Sequence, residues 1–231
     1  MRGHQGAAAG FGAQAMLVAG KDLEIEWRSR VTAARVVPFA GILLLLFAVA
    51  LDPDRGLLPR VAPGLFWVAA MLAALLAIGR AFAIERENRA GVSLLLSGVD
   101  PAAMYVGKTL ALLAQLLVLE VLLGVGMVAL YDVEARNVAL LSVGATLASA
   151  GIAAAGTLYG AVVIADRGRD SLLALLLLPV LVPVLLGATR LFETATTGGG
   201  DAGLWLGLLA VFAALYGALG TLTFGSLLEE A

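Results

Sequence analysis

Residues 109–131 read TLALLAQLLVLEVLLGVGMVALY, twenty-three positions with one formal charge, Glu120, and no continuous polar face. A helix on the surface of a soluble protein carries charge on its outward side. A stretch that is apolar all round, at about the 20 residues a bilayer demands, reads instead as a membrane span. Five other stretches share this character, 36–51, 61–79, 138–165, 171–189 and 202–228, and Glu120 is the one charged residue inside the six. Across all 231 residues, 61% are hydrophobic and 14% charged, whereas an ordinary soluble domain carries about 25% charged residues. The fold class expected is therefore all-α, a polytopic membrane protein with six transmembrane helices, at about 36–51, 61–84, 104–131, 138–165, 171–191 and 202–228. They form a single membrane domain from 21 to 231.

The same composition excludes several function classes. A net charge of −2 and a pI near 5.4 leave no basic face for nucleic acid. The chain has no Cys, hence no disulfide, no thiolate nucleophile and no attached-haem motif, and its single His is His4, outside the spans. No metal site and no stably bound cofactor are expected, and the chain by itself does not read as an enzyme.

Upstream of the first span, residues 1–20 are Gly and Ala rich and read as a flexible extension; a signal peptide is the rival, but the apolar stretch is short and broken by Gly. From 21 to 35 the pattern changes. Leu23, Trp27 and Val31 recur every four residues, while Glu24 to Arg28 and Glu26 to Arg30 are spaced for i,i+4 ion pairs. An apolar stripe with Trp opposite a charged face suits an interfacial helix lying along the membrane, the alternative being a solvated lead-in to the first span. That span is short, so the helix is expected to extend back through Arg35, whose side chain snorkels.

Six spans put both termini on one side. On that side and in the matching loops stand Arg2, Lys21, Arg28, Arg30, Arg35, Arg80, Arg86, Arg89, Lys108, Arg167 and Arg169, against Arg55, Arg60, Arg136 and Arg190 opposite. The positive-inside rule places both termini in the cytoplasm of a multi-pass inner-membrane protein.

Within the spans, Gly156/Gly160 and Gly203/Gly207 are GxxxG pairs that read as helix packing, with a homodimer face as the alternative. Pro179 and Pro183, four apart, share one helix face and mark either a kink or a hinge. Gly107-Lys108-Thr109 imitates the end of a phosphate loop, but Ala102 stands where that pattern needs Gly, so Lys108 reads as an anchor at the cytoplasmic end of its span. Glu120 lies about 18 Å further along the helix, near the bilayer centre. A carboxyl there either hydrogen-bonds to a neighbouring helix or serves transport. Gln115 is the other polar side chain, about 140° away around the helix and off the Glu120 face.

The stretch 82–108, FAIERENRAGVSLLLSGVDPAAMYVGK, has a charged start, an apolar centre and a Pro that begins the next helix. It reads as a cytoplasmic segment under the membrane, about 85–103, where a partner would dock, or as a solvated loop. Its E-R-E-x-x-x-G, Leu-rich run and Pro turn before Gly-Lys resemble the pattern of ABC-2 type permeases. Pro63-Gly64-x-x-Trp67 followed by Arg80-x-Phe82, then Leu172-Leu173-x-x-Leu176-Leu177-x-Pro179-x-x-x-Pro183 after Arg169, together with the Lys108 to Glu120 spacing, narrow the likeness. They resemble the B-subunit family of the cytochrome c maturation transporter, the haem exporter B family, over about 20–228.

That resemblance implies a membrane subunit paired with a cytoplasmic ABC ATPase, which uses the ATP. It also implies work alongside a haem-handling membrane subunit and a haem chaperone, with haem as the ligand moved or released. It makes Glu85, Arg86, Glu87, Arg89 and Gly91 the ATPase-coupling surface. Val92-Ser93 and Ser97-Gly98 depart from the family's usual residues there. Two other readings stand beside it, an ABC-2 permease for another amphipathic substrate and a proton-coupled carrier using Glu120.

Overall fold

The structure is a computed structural model that describes residues 10–29, 32–51, 58–88, 98–133, 136–165 and 171–229. Among the described residues every regular element is helical: α1 (Phe11–Ser29), α2 (Val37–Ala50), α3 (Leu58–Asn88), α4 (Pro101–Tyr131), α5 (Val138–Ala165), α6 (Ser171–Thr197) and α7 (Ala202–Glu229). Helices α3 to α7 are each long and apolar enough to cross a bilayer, and α2 is a shorter apolar helix. A π-helical turn, Thr32–Val36, runs directly into α2. Its five residues and the fourteen of α2 reach about 28 Å at helical rise, close to the thickness of the hydrocarbon core.

Helix boundaries follow from local chemistry. Asp100 caps α4, its side chain accepting from the Ala102 N–H at 2.8 Å, and Pro101 occupies the first helical turn. Asp132 ends α4 in the left-handed conformation, φ 53°, which Asp tolerates better than most residues. Asn137 and Asp201 cap α5 and α7 by accepting from the Leu140 and Leu204 N–H groups.

Helix α4 lies at the centre, packed against α1, α2, α3, α5 and α7, and α5 touches α3, α4, α6 and α7. Close contact rests on small residues, as expected where lipid offers no hydrophobic drive between helices. Gly156 and Gly160 give α3 room to seat Ile78 and Phe82, so this GxxxG pair packs within the chain. Gly220 receives the Tyr105 ring, whose single O–H proton is within donating reach of the Ala154 and Tyr216 carbonyls at 3.0 and 2.9 Å. Tyr131 donates to the Leu44 carbonyl at 2.8 Å and ties α4 to α2. Burial falls steeply across the bundle, from 56% of the apolar window of α3 to 6% of that of α7, which is therefore the most exposed of the five long apolar helices.

One expectation is corrected. Residues 11–20 are not a flexible extension but the first half of α1, with Ala15, Val18 and Ala19 buried. Gly lowers helix propensity, but Ala favours the helix, and small residues of both kinds let it approach closely. Gly107 on α4 has no side chain, and the Ala15 carbonyl and Val18 fill the space its Cβ would take.

Candidate functional site

Helix α4 carries two buried ionisable side chains, Lys108 near its start and Glu120 midway, each 7% exposed. Lys108 does not snorkel to the surface as an anchor. It lies under α1, its Nζ 3.3 Å from Asp22 Oδ2 and 5.8 Å from the centre of the Phe82 ring. Asp22 also accepts from Lys21 at 2.6 Å, and the Asp100 N–H donates to Gln14 Oε1 at 2.9 Å. Helix α1 is thus clamped to the start of α4 by an ion pair, a hydrogen bond and the Gly107 contact. Leu23 and Trp27 point away from this contact, Trp27 at 83% exposed, while Val31 lies outside the described residues.

Glu120 accepts a hydrogen bond from Ser149 of α5 through Oε1. Its Oε2 is buried with no hydrogen-bond partner, and so is Trp67 Nε1 on α3. Both residues line one cavity of about 400 Å³ in the half of the bundle remote from α1. Phe66, Met127, Leu191 and Phe192 are among the residues of its apolar wall, with α5 closing the side from Val138 to Thr146. The volume falls at the lower end of the ~300–1,000 Å³ typical of small-molecule sites. Among the described residues Glu120 is the one ionisable residue in its lining, and Gln115, half-buried, is not part of it.

Trp67 and Ser149 carry no mark in the sequence that would pair them with Glu120. Trp67 sits within the Pro-Gly-x-x-Trp motif, which pointed to a family and not to a buried indole N–H beside a carboxyl. Pro179 and Pro183 lie inside α6 on its exposed side. Glu85, Arg86 and Glu87 fall on the last turns of the α3 backbone, their side chains outside the description, and Arg89 and Gly91 lie outside the described residues altogether. Among the described residues no group of three or more His, Cys, Asp or Glu is placed to hold a metal ion.

Six apolar helices around a small-residue core, with a largely apolar cavity beside a buried carboxyl and an amphipathic helix at one end, define a polytopic membrane protein of the permease kind. Residues 13–230 match the family model described as CcmB protein, and the chain belongs to that family. It is similar to heme exporter protein B of Pseudomonas aeruginosa, 28% identical over 85% of this chain and 89% of the relative. It is also similar to the proteins of that name from Haemophilus influenzae, 28% identical over 76% and 79%, and Paracoccus denitrificans, 27% identical over 77% and 82%.

Proposed function

We propose that this chain is the membrane subunit of an ABC transporter of the inner membrane that exports haem, or releases a haem-loaded chaperone, for c-type cytochrome assembly. The observation that carries this reading is the family match over 13–230 of the chain, on a scaffold of helices long enough to span a bilayer. In it, a separate cytoplasmic subunit hydrolyses ATP, and no cofactor is bound stably by this chain. Both termini are cytoplasmic, which places the 85–103 segment and α1 on the side where an ATPase docks. Movement delivered at 85–103 enters α3 and α4, the two helices it joins. Through α4 it reaches all the helices that this central element touches.

Deletion of the chain is expected to abolish holo-cytochrome c while apo-cytochrome is still made, and re-expression to restore it. Epitope-tagged chain is expected to co-purify a cytoplasmic ATPase, and Glu85→Lys combined with Glu87→Lys to lose both that subunit and cytochrome c maturation. Normal holo-cytochrome levels in the deletion strain would overturn the haem assignment and leave an ABC-2 permease for another amphipathic substrate. The carrier reading is weaker because a proton relay needs a second titratable group, and among the described residues the cavity lining around Glu120 has none.

A further inference from the structure

Helix α1 meets α4 through Ala15, Val18 and Asp22, which lie against Gly107 and Lys108. Its outward side carries two stripes that run next to each other, each with the i, i+4, i+7, i+11 spacing that keeps residues on one helix face. One stripe is Met16, Gly20, Leu23 and Trp27, which holds no charge. The other is Leu17, Lys21, Glu24 and Arg28, and within it Arg28 pairs with Glu24 at 2.6 Å. Met16, Leu23 and Trp27 are all exposed, so the chain itself does not cover the apolar stripe.

The depth of α1 follows from α4. From Lys108 to Tyr131 the helix rises about 35 Å, against about 30 Å of hydrocarbon in a bilayer. Lys108 therefore lies at the edge of the apolar layer, and Asp22 holds α1 at the same level. The chain then continues from α1 through the Thr32–Val36 turn into α2, so Trp27 stands just ahead of the point where the chain enters the membrane. A helix at that boundary has hydrocarbon on one flank and water on the other, which an uncharged stripe beside a charged one matches. Charge also selects the lipid. Lys21 and Arg28 are outnumbered by Asp22, Glu24 and Glu26, so α1 offers no net positive field to an anionic head group. The attraction left to it is apolar area and the indole ring, which favours the head-group level.

We propose that α1 docks on the zwitterionic lipid interface at its end of the bundle, with Met16, Leu23 and Trp27 turned into the head-group layer and Lys21, Glu24 and Arg28 toward water. The proposal rests on the chain spanning the bilayer and not on haem export. It holds equally for a permease of another substrate.

Trp27 is itself the reporter. With Trp67→Phe and Trp205→Phe it is the remaining Trp of the three in the full-length chain, and bromine quenches indole emission on contact. In phosphatidylcholine nanodiscs, lipid brominated at the head-group end of its acyl chain is expected to quench Trp27 about twofold more than lipid brominated at the methyl end, as burial of only ~5–10 Å requires. Replacing part of the lipid with phosphatidylglycerol should leave the quenching unchanged. Met16 and Leu17 are adjacent and almost equally exposed, 66% and 68%, but belong to different stripes. Met16→Glu should therefore lose most of the quenching, while Leu17→Glu should keep it. No quenching by either lipid would leave Trp27 in water or under another protein and overturn the proposal. So would stronger quenching at the methyl end, a rise with phosphatidylglycerol, or equal loss in the two Glu variants. The first three outcomes are read on the reporter chain, so they stand even where a Glu variant fails to fold.

Discussion

The two halves of α4 bury an ionisable side chain to the same extent and satisfy it in opposite ways. Lys108 is met by a carboxylate from another helix and by an aromatic ring, and α1 covers it. Glu120 is met by one hydroxyl and keeps an oxygen without a partner beside a cavity. Both groups cost free energy to remove from water. At Lys108 the fold offsets that cost with its own residues, and the result is a structural joint. At Glu120 the offset is incomplete, one carboxyl oxygen staying buried without a partner.

The comparison predicts that damage at the joint weakens the fold more than damage at the cavity. The largest effect is expected from Gly107→Val. A Cβ there would meet the Ala15 carbonyl oxygen at 2.5 Å and Val18 Cβ at 2.7 Å, one of them backbone, so α1 must move away as a unit. Overpacking of this kind, together with the ion pair it pulls apart, should cost about 3 kcal/mol. A Cys introduced at Ala15 should then change from protected to readily labelled by a water-soluble maleimide. Continued protection would mean that α1 does not depend on this contact.

Asp22→Ala removes one carboxylate and leaves the helix contact in place. Lys108 then stays buried without this partner, and a loss of about 2 kcal/mol is expected, below the ~3–5 kcal/mol of a fully buried pair because Asp22 is about a fifth exposed. The double variant Asp22→Leu with Lys108→Met should recover most of it, since an apolar pair of similar volume avoids the desolvation cost. The thermal midpoint of the purified chain in detergent reads both. A double variant no better than the single one would show that the pair is worth more than its burial costs.

How much of this was open to a reader of the sequence depends on distance along the chain. The apolar helices follow from the gaps between charges, and Glu120 stands out as the lone charge in a gap. The 140° offset that set Gln115 apart from Glu120 agrees with its absence from the cavity lining. What local pattern could not supply was the neighbour. Asp22 and Lys108 are 86 residues apart and Glu120 and Ser149 are 29 apart, and nothing local says which helix face meets which. Residues 11–20 show the same limit. Their Gly residues lower helix propensity while their Ala residues raise it, and only the partner, Gly107 on α4, shows that these small residues serve close packing.

The smallest effect is expected at the site chemistry would call the most costly. Glu120→Gln keeps an oxygen that can accept from Ser149 and removes any need to bury a charge, so the stability read from thermal unfolding should stay within about 0.5 kcal/mol of the parent, or rise. Ser149→Ala, which takes away the hydroxyl and keeps the carboxyl, should cost more, about 1–2 kcal/mol, because it leaves both carboxyl oxygens without partners. That ordering, hydroxyl loss worse than charge loss, is particular to a carboxyl that contributes hydrogen-bonding capacity rather than charge to the fold. If Glu120→Gln instead destabilised the chain as much as Asp22→Ala, the carboxylate would have to be charged and held by a cation, and the contrast between the two halves of α4 would collapse.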